Sequence, residues 1–294
     1  MTIDQTTAPK PSEQAAPVAA PPTTVRLQPT SGFSRVLSPR ELWRYRDLAL
    51  QIVVRDITLR YRQTALGAAW AILQPVAFMI IFSVFFGRVA GVSSGDVPYA
   101  LFSLAALVPW AFFSSSLLLG SESLVMYKEL VSKIYFPRIF MPMGVIGAGF
   151  VDLGISTVIL LVVVLVYGIV PSAAILFLPF LVVLAAAALL GATALLSAIN
   201  VRYRDVRYVV PFAVQMWLFI TPVVYSASSI SQPWRTLSGI NPMAGVVEGF
   251  RWAVLDTGSP PWALMGMSTL GALLLLLAGL AYFDRVERSF ADII

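Results

Sequence analysis

The chain contains no cysteine and no histidine, only three lysines, and few charges of either sign. Without cysteine there is no disulfide, no thiolate nucleophile and no thiolate metal ligand. Without histidine the usual general base near neutral pH and the commonest metal ligand are missing. None of the lysines (Lys10, Lys128, Lys133) follows a glycine. The Gly-Lys-Ser/Thr ending of a phosphate-binding loop is therefore absent, and any work done by nucleotide hydrolysis needs another polypeptide. The acidic residues are scattered, with no convergent cluster to suggest a catalytic or metal site. Charged residues make up 12% of the 294 positions against 58% hydrophobic, and mean hydropathy is +0.83. A soluble domain carries about twice that charged fraction, so a large water-soluble core is excluded.

What the chain has instead is long apolar runs, at about 68–89, 99–121, 140–167, 175–199, 206–225 and 262–283. Each reaches the ~20 residues a helix needs to cross the hydrocarbon core. Lipid offers backbone groups no partners, so such runs are helices that satisfy themselves. The fold class expected is all-α: a polytopic membrane protein with six transmembrane helices. Residues 1–34, with Pro, Ala, Thr and Ser and no sustained apolar period, read as a flexible tail. Residues 35–294 form the membrane domain. The start does not resemble a secretory signal.

The formal charge of +5 sits at the joints between runs, which argues against nucleic-acid binding. Arg55, Arg60 and Arg62 precede the first run, and Lys128, Lys133 and Arg138 follow the second. Arg202, Arg204 and Arg207 lie between the fourth and fifth, and Arg285 and Arg288 after the last. The alternate joints carry only Arg88, Arg235 and Arg251. By the positive-inside bias both termini are cytoplasmic. Arg204 and Asp205 are expected to fix their turn by an ion pair.

Two segments outside the runs have helical character. Across residues 39–54, with the helix itself expected over 41–54, Leu42, Tyr45, Ala49, Ile52 and Val53 share one face and Arg40, Arg44, Asp47 and Gln51 lie mainly on the other, as in a helix in the headgroup region. Between Ser226 and Pro261, Asn241-Pro242 opens a semi-apolar stretch too short to cross the membrane, expected as a short outer re-entrant or interfacial helix. Within the runs, Asp152 is costly unless it faces water, a substrate or a polar or cationic neighbour. Gln74 and Gln215, taken as buried polar groups with it, either line a path or bond helix to helix. Phe102, Trp110, Phe112, Phe113, Trp217, Phe219 and Tyr225 provide faces on which sugars stack, and serve equally as packing or interface anchors.

Several of these segments, taken in order, line up with one family. Arg55, Asp56, Arg60, Tyr61, Arg62, Gly67, Trp70, Gln74 and Pro75 form a segment that resembles the approach to the first span of ABC-2-type permeases of polysaccharide export. Residues 130–138, ending Phe136-Pro137-Arg138, resemble their first cytoplasmic loop, and 203–206 the second. Residues 217–225 resemble the end of the fifth span, and Asn241-Pro242 followed by Arg251 the segment before the last. The resemblance covers about residues 36–290.

It implies half of a transporter in a bacterial inner (cytoplasmic) membrane. A second copy of the chain completes the path, and two ATP-binding subunits hold ATP and Mg, so this chain binds no cofactor. Substrates in the family include O-antigen, capsule, teichoic acid and cell-wall galactan, often on a polyprenyl diphosphate lipid. Carried over by position, Tyr127, Lys128, Leu130, Lys133, Phe136, Pro137 and Arg138 couple to the ATPase. Arg55, Arg60 and Arg62 face the lipid headgroup and its diphosphate, the seven aromatics line a glycan path, and Asn241, Pro242 and Arg251 shape an outer gate. Rival readings are an ABC-2 exporter of small amphiphiles or lipids, and a membrane-embedded lipid or sugar transferase. The transferase would need a convergent acidic or metal site.

Overall fold

A computed structural model describes residues 43–62, 69–133 and 136–287. The tail expected over 1–34, the start of the helix expected from 41, the joint around Gly67, the side chain of Lys133, and Arg288 lie outside the described residues. The described residues are all-α, and five helical stretches are long and apolar enough to cross a membrane: Ile72–Val89, Tyr99–Met126, Phe140–Val166, Ala173–Arg202 and Trp262–Glu287. The elements are α1 (Arg46–Tyr61), α2 (Ala69–Phe82, continued by a π-helical turn, Ser83–Val89), α3 (Tyr99–Met126), α4 (Lys128–Lys133), α5 (Phe140–Val166), α6 (Leu178–Arg202), α7 (Val206–Ile220), α8 (Pro242–Leu255) and α9 (Trp262–Glu287).

α3 is the hub, packed against α2, α5, α6, α7 and α8. It is apolar around its whole circumference, the pattern of a helix buried on all sides. Most of its serines do not spoil this, because Ser103, Ser115, Ser121 and Ser123 return their hydroxyls to backbone carbonyls one turn earlier. α6 and α9 form the most extensive helix pair. They meet backbone to backbone, since a Cβ at Gly191 would run into Leu275 and Leu276, and one at Gly279 into Gly191. With little hydrophobic drive between helices in lipid, such small-residue contact is what holds them.

Three expectations change in detail. The fifth run, expected over 206–225, is helical only as α7, which stops at Ile220. Thr221 is extended before Pro222, as a residue preceding proline prefers. The amphipathic helix expected to end at Val54 continues to Tyr61, because nothing between Val54 and Tyr61 breaks it. Its inner stripe runs Ile52, Val53, Asp56 and Arg60, apolar first and ionic at the end. Ile52 and Val53 pack into Gly144 and Gly147, so α1 lies along α5. Third, among the described residues Arg204 and Asp205 form no ion pair; both are exposed, and the turn is held instead by the Asp205 carbonyl, which accepts from Tyr208 and Val209 N–H.

Candidate functional site

The ionic end of α1 meets α5 at Asp152, midway along that helix. Arg60 donates from its guanidinium to Asp152 Oδ2 and Tyr61 from its hydroxyl to Oδ1. Gln74 and Pro75 of α2, Phe112 and Ser115 of α3, and Ser156 of α5 complete a cavity of about 240 Å³ beside this pair. A second cavity, about 250 Å³, lies nearer the basic end of the bundle, between Asp56, Tyr127, Met126 and Val145. Arg60 lines both. Of the other two arginines assigned to the headgroup, Arg55 pairs with Asp56 at 3.1 Å, and Arg62 is exposed at the end of α1.

The proposed coupling segment is tied to this site at one end and to the last helix at the other. Tyr127, which closes α3, donates to Asp56 Oδ1 at 2.9 Å under the Arg55 guanidinium, 3.8 Å above its ring. Burial and the Asp56 carboxylate push the Tyr127 pKa above the ordinary phenol value, which keeps it a donor. Leu130 and Phe136 pack with Ile52, Phe140 and Phe283, while Lys128 is exposed. Past Pro137, Arg138 donates its backbone N–H to Glu287 Oε1 (3.2 Å) and its guanidinium to the Glu287 carbonyl at the end of α9. Residues 127–138 thus join α1, α3, α5 and α9 at the basic end.

At the opposite end, Arg251 of α8 is 1% exposed and organises the chain after α7. Its guanidinium donates to the carbonyls of Phe102 (3.1 Å), Pro222 (2.6 Å), Val223 and Tyr225, lies 3.6 Å above the Phe102 ring, and pairs with Glu248 at 3.2 Å. The carbonyls of Pro222, Val223 and Tyr225 lie past the end of α7, so Arg251 satisfies a break that burial would otherwise make costly. Asn241 caps α8 by accepting from Met243 N–H, takes the Trp217 indole N–H at 2.9 Å and donates to Thr221 at 2.8 Å. Pro242 occupies the first turn of α8, where a missing N–H costs nothing.

The aromatics divide. Phe102, Trp110, Phe112 and Phe113 are buried, with Phe112 stacked on Phe150 and Phe113 edge-on to Trp217. Phe219 is exposed on α7 and Tyr225 partly exposed. The structure therefore brings no continuous track of seven rings to the surface of one chain. Gln74 and Gln215, expected to be buried, are both exposed on the single chain; Gln74 still reaches the cavity beside Asp152. Sequence reasoning missed Tyr61, Asp56, Tyr99, Glu248 and Glu287 as partners. Glu248 was discoverable from its i, i+3 spacing to Arg251. Tyr99, whose hydroxyl donates to the Val224 carbonyl, carries no local signal.

Comparison with known proteins places these features. A family profile described as "ABC-2 type transporter" matches residues 48–255. The chain is 30% identical over 259 residues to the O-antigen export system permease protein RfbA of Myxococcus xanthus, covering 86% of this chain and 97% of that one. It is 23% identical over 249 residues to the protein of the same name from Klebsiella pneumoniae, covering 84% and 95%. Over 64 residues, 22% of this chain and 25% of its relative, it is 34% identical to the polysialic acid transport protein KpsM of Escherichia coli. The profile spans most of the chain, from within α1 through α8, and includes the Asp152 pair, residues 127–138 and the Arg251 clamp: the chain belongs to the ABC-2 type transporter family of membrane permeases.

Proposed function

We propose that this chain is the transmembrane half of an ATP-driven exporter of a polysaccharide carried on a polyprenyl diphosphate lipid, with O-antigen or a cell-wall galactan as the polymer. The observation that carries this reading is the near full-length match to permeases named for O-antigen export. Two copies form the path and two ATP-binding subunits dock on residues 127–138, because the chain has no phosphate-binding loop of its own. Six spans, counting α7, leave both termini cytoplasmic and put the basic joints inside. The burial of α8 among α3, α6 and α9 favours a re-entrant element over a surface helix.

In the working cycle, closure of the ATP-binding subunits pushes on α4 and its flanks. The link through Arg138 and Glu287 passes that displacement to α9, and the link through Tyr127 and Asp56 passes it to α1. The arginines of α1 face the diphosphate, and the exposed Phe219 of α7, with the partly exposed Tyr225 beyond the helix, contacts the glycan where the two copies meet. Asn241, Pro242 and Arg251 hold the outer end. Deleting the gene tests the reading in cells. Surface polysaccharide should vanish while its lipid-linked form accumulates intact on the cytoplasmic side; undiminished surface polysaccharide rejects it.

A further inference from the structure

We propose that Asp152 is a stand-in anion: it neutralises Arg60 until the phosphoester headgroup of a lipid substrate takes its place on Arg60 and Tyr61, midway through the bundle. This rests on the reading that the substrate is lipid-linked. Asp152 lies about 18 Å along α5 from Phe140, taking the helical rise per residue. An arginine serving only topology belongs at a helix end, where it reaches water. Arg60 instead is carried by α1 onto Asp152, inside the apolar run of α5, where its side chain is only 19% exposed and an unpaired charge is costly.

The chemistry of the pair suits exchange. A guanidinium fork and a phenol hydroxyl converge on one carboxylate, and the same donors match phosphate oxygens equally well. The adjoining cavity gives the incoming group room, with the Gln74 amide as a further donor in its wall. The cavity nearer the basic end is less hospitable. Among the described residues Asp56 Oδ2 there is buried without a hydrogen-bond partner, and an unsatisfied carboxylate oxygen repels an anion. Arg60 reaches both cavities, so a headgroup passing it is drawn toward the deeper one. Replacing one anion by another keeps Arg60 neutralised throughout, and the displaced Asp152 carboxylate stays at the wall of a cavity that the hydroxyl-bearing Ser115 and Ser156 also line.

The test is lipid binding to the full-length permease by native mass spectrometry, with undecaprenyl diphosphate as probe and undecaprenol and inorganic pyrophosphate as comparison arms. Asp152→Asn frees Arg60 and should tighten undecaprenyl diphosphate binding roughly tenfold, the worth of one charge-assisted hydrogen bond. Arg60→Gln combined with Asp152→Asn, a neutral pair, should lose that gain. Tyr61→Phe, which strands no charge, should weaken binding about fivefold. Undecaprenol should bind all variants alike. Unchanged diphosphate binding in folded Asp152→Asn and Tyr61→Phe overturns the exchange, and competition by pyrophosphate as effective as by the lipid overturns the headgroup assignment. A wild-type chain that does not distinguish undecaprenyl diphosphate from undecaprenol sinks the lipid-linked reading itself, which separates the two failures.

Discussion

Arg251 shows how much one side chain decides. It gathers four carbonyls from the top of α3 and the unwound chain after α7, and Glu248 balances its charge. Arg251→Met leaves those carbonyls and Glu248 without their donor, and should destabilise the protein by about 3–5 kcal/mol, the usual cost of removing one member of a buried pair. Arg251→Lys keeps the charge but not the planar fork, and should fall between the two. Thermal unfolding of the purified permease in detergent measures both; wild-type stability of Arg251→Met would contradict the clamp. In the sequence Arg251 was visible as a charge in a semi-apolar stretch, three residues after Glu248. Its role was not, because its partners are backbone carbonyls brought from positions far along the chain. Asp152 was legible as a residue in need of a partner, since charge in an apolar run demands one. Which arginine answers depends on how α1 packs, and periodicity does not carry that.

At the scale of elements, the glycines of α6 and α9 separate contact from mere presence. Gly279→Val pushes a side chain into the Gly191 backbone and should cost about 1–3 kcal/mol of overpacking. Gly266→Ala on the same helix meets nothing within 4 Å and should be neutral or stabilising by about 1 kcal/mol. Equal Tm values for the two variants would show that the helices do not cross at Gly191. The long apolar runs were readable because lipid imposes length and hydropathy on them directly. The end of α7 was readable only in part: Pro222 marks the break, but the apolar residues beyond it disguise it as more span. The extent of α1 was misjudged because its buried face turns from Ile52 and Val53 to Asp56 and Arg60. A helix whose inner stripe ends in ion pairs looks, by hydropathy alone, as though it has stopped.

For the whole molecule, the question is how an event at the basic end reaches the rest of the bundle. Arg138→Ala removes the guanidinium bond to the end of α9 while leaving the helices intact. It should lower glycan export severalfold while the partner subunits still hydrolyse ATP. Equal loss of hydrolysis and export would place Arg138 in assembly rather than in coupling. The absence of cysteine makes topology directly testable, since every introduced thiol is the sole label site. Lys128→Cys should be shielded from an impermeant reagent in intact cells, and Ser259→Cys should react; the reverse pattern would invert the map.

The most direct measurement reconstitutes the permease with its ATP-binding subunits in proteoliposomes loaded with the lipid-linked polysaccharide in the leaflet that faces the ATP-binding subunits. Adding Mg-ATP should move glycan to the opposite leaflet in proportion to hydrolysis, and neither subunit alone should do so. Glycan that crosses equally well without this chain, or that stays in place while ATP is consumed and small amphiphiles cross instead, would contradict export of a lipid-linked polymer.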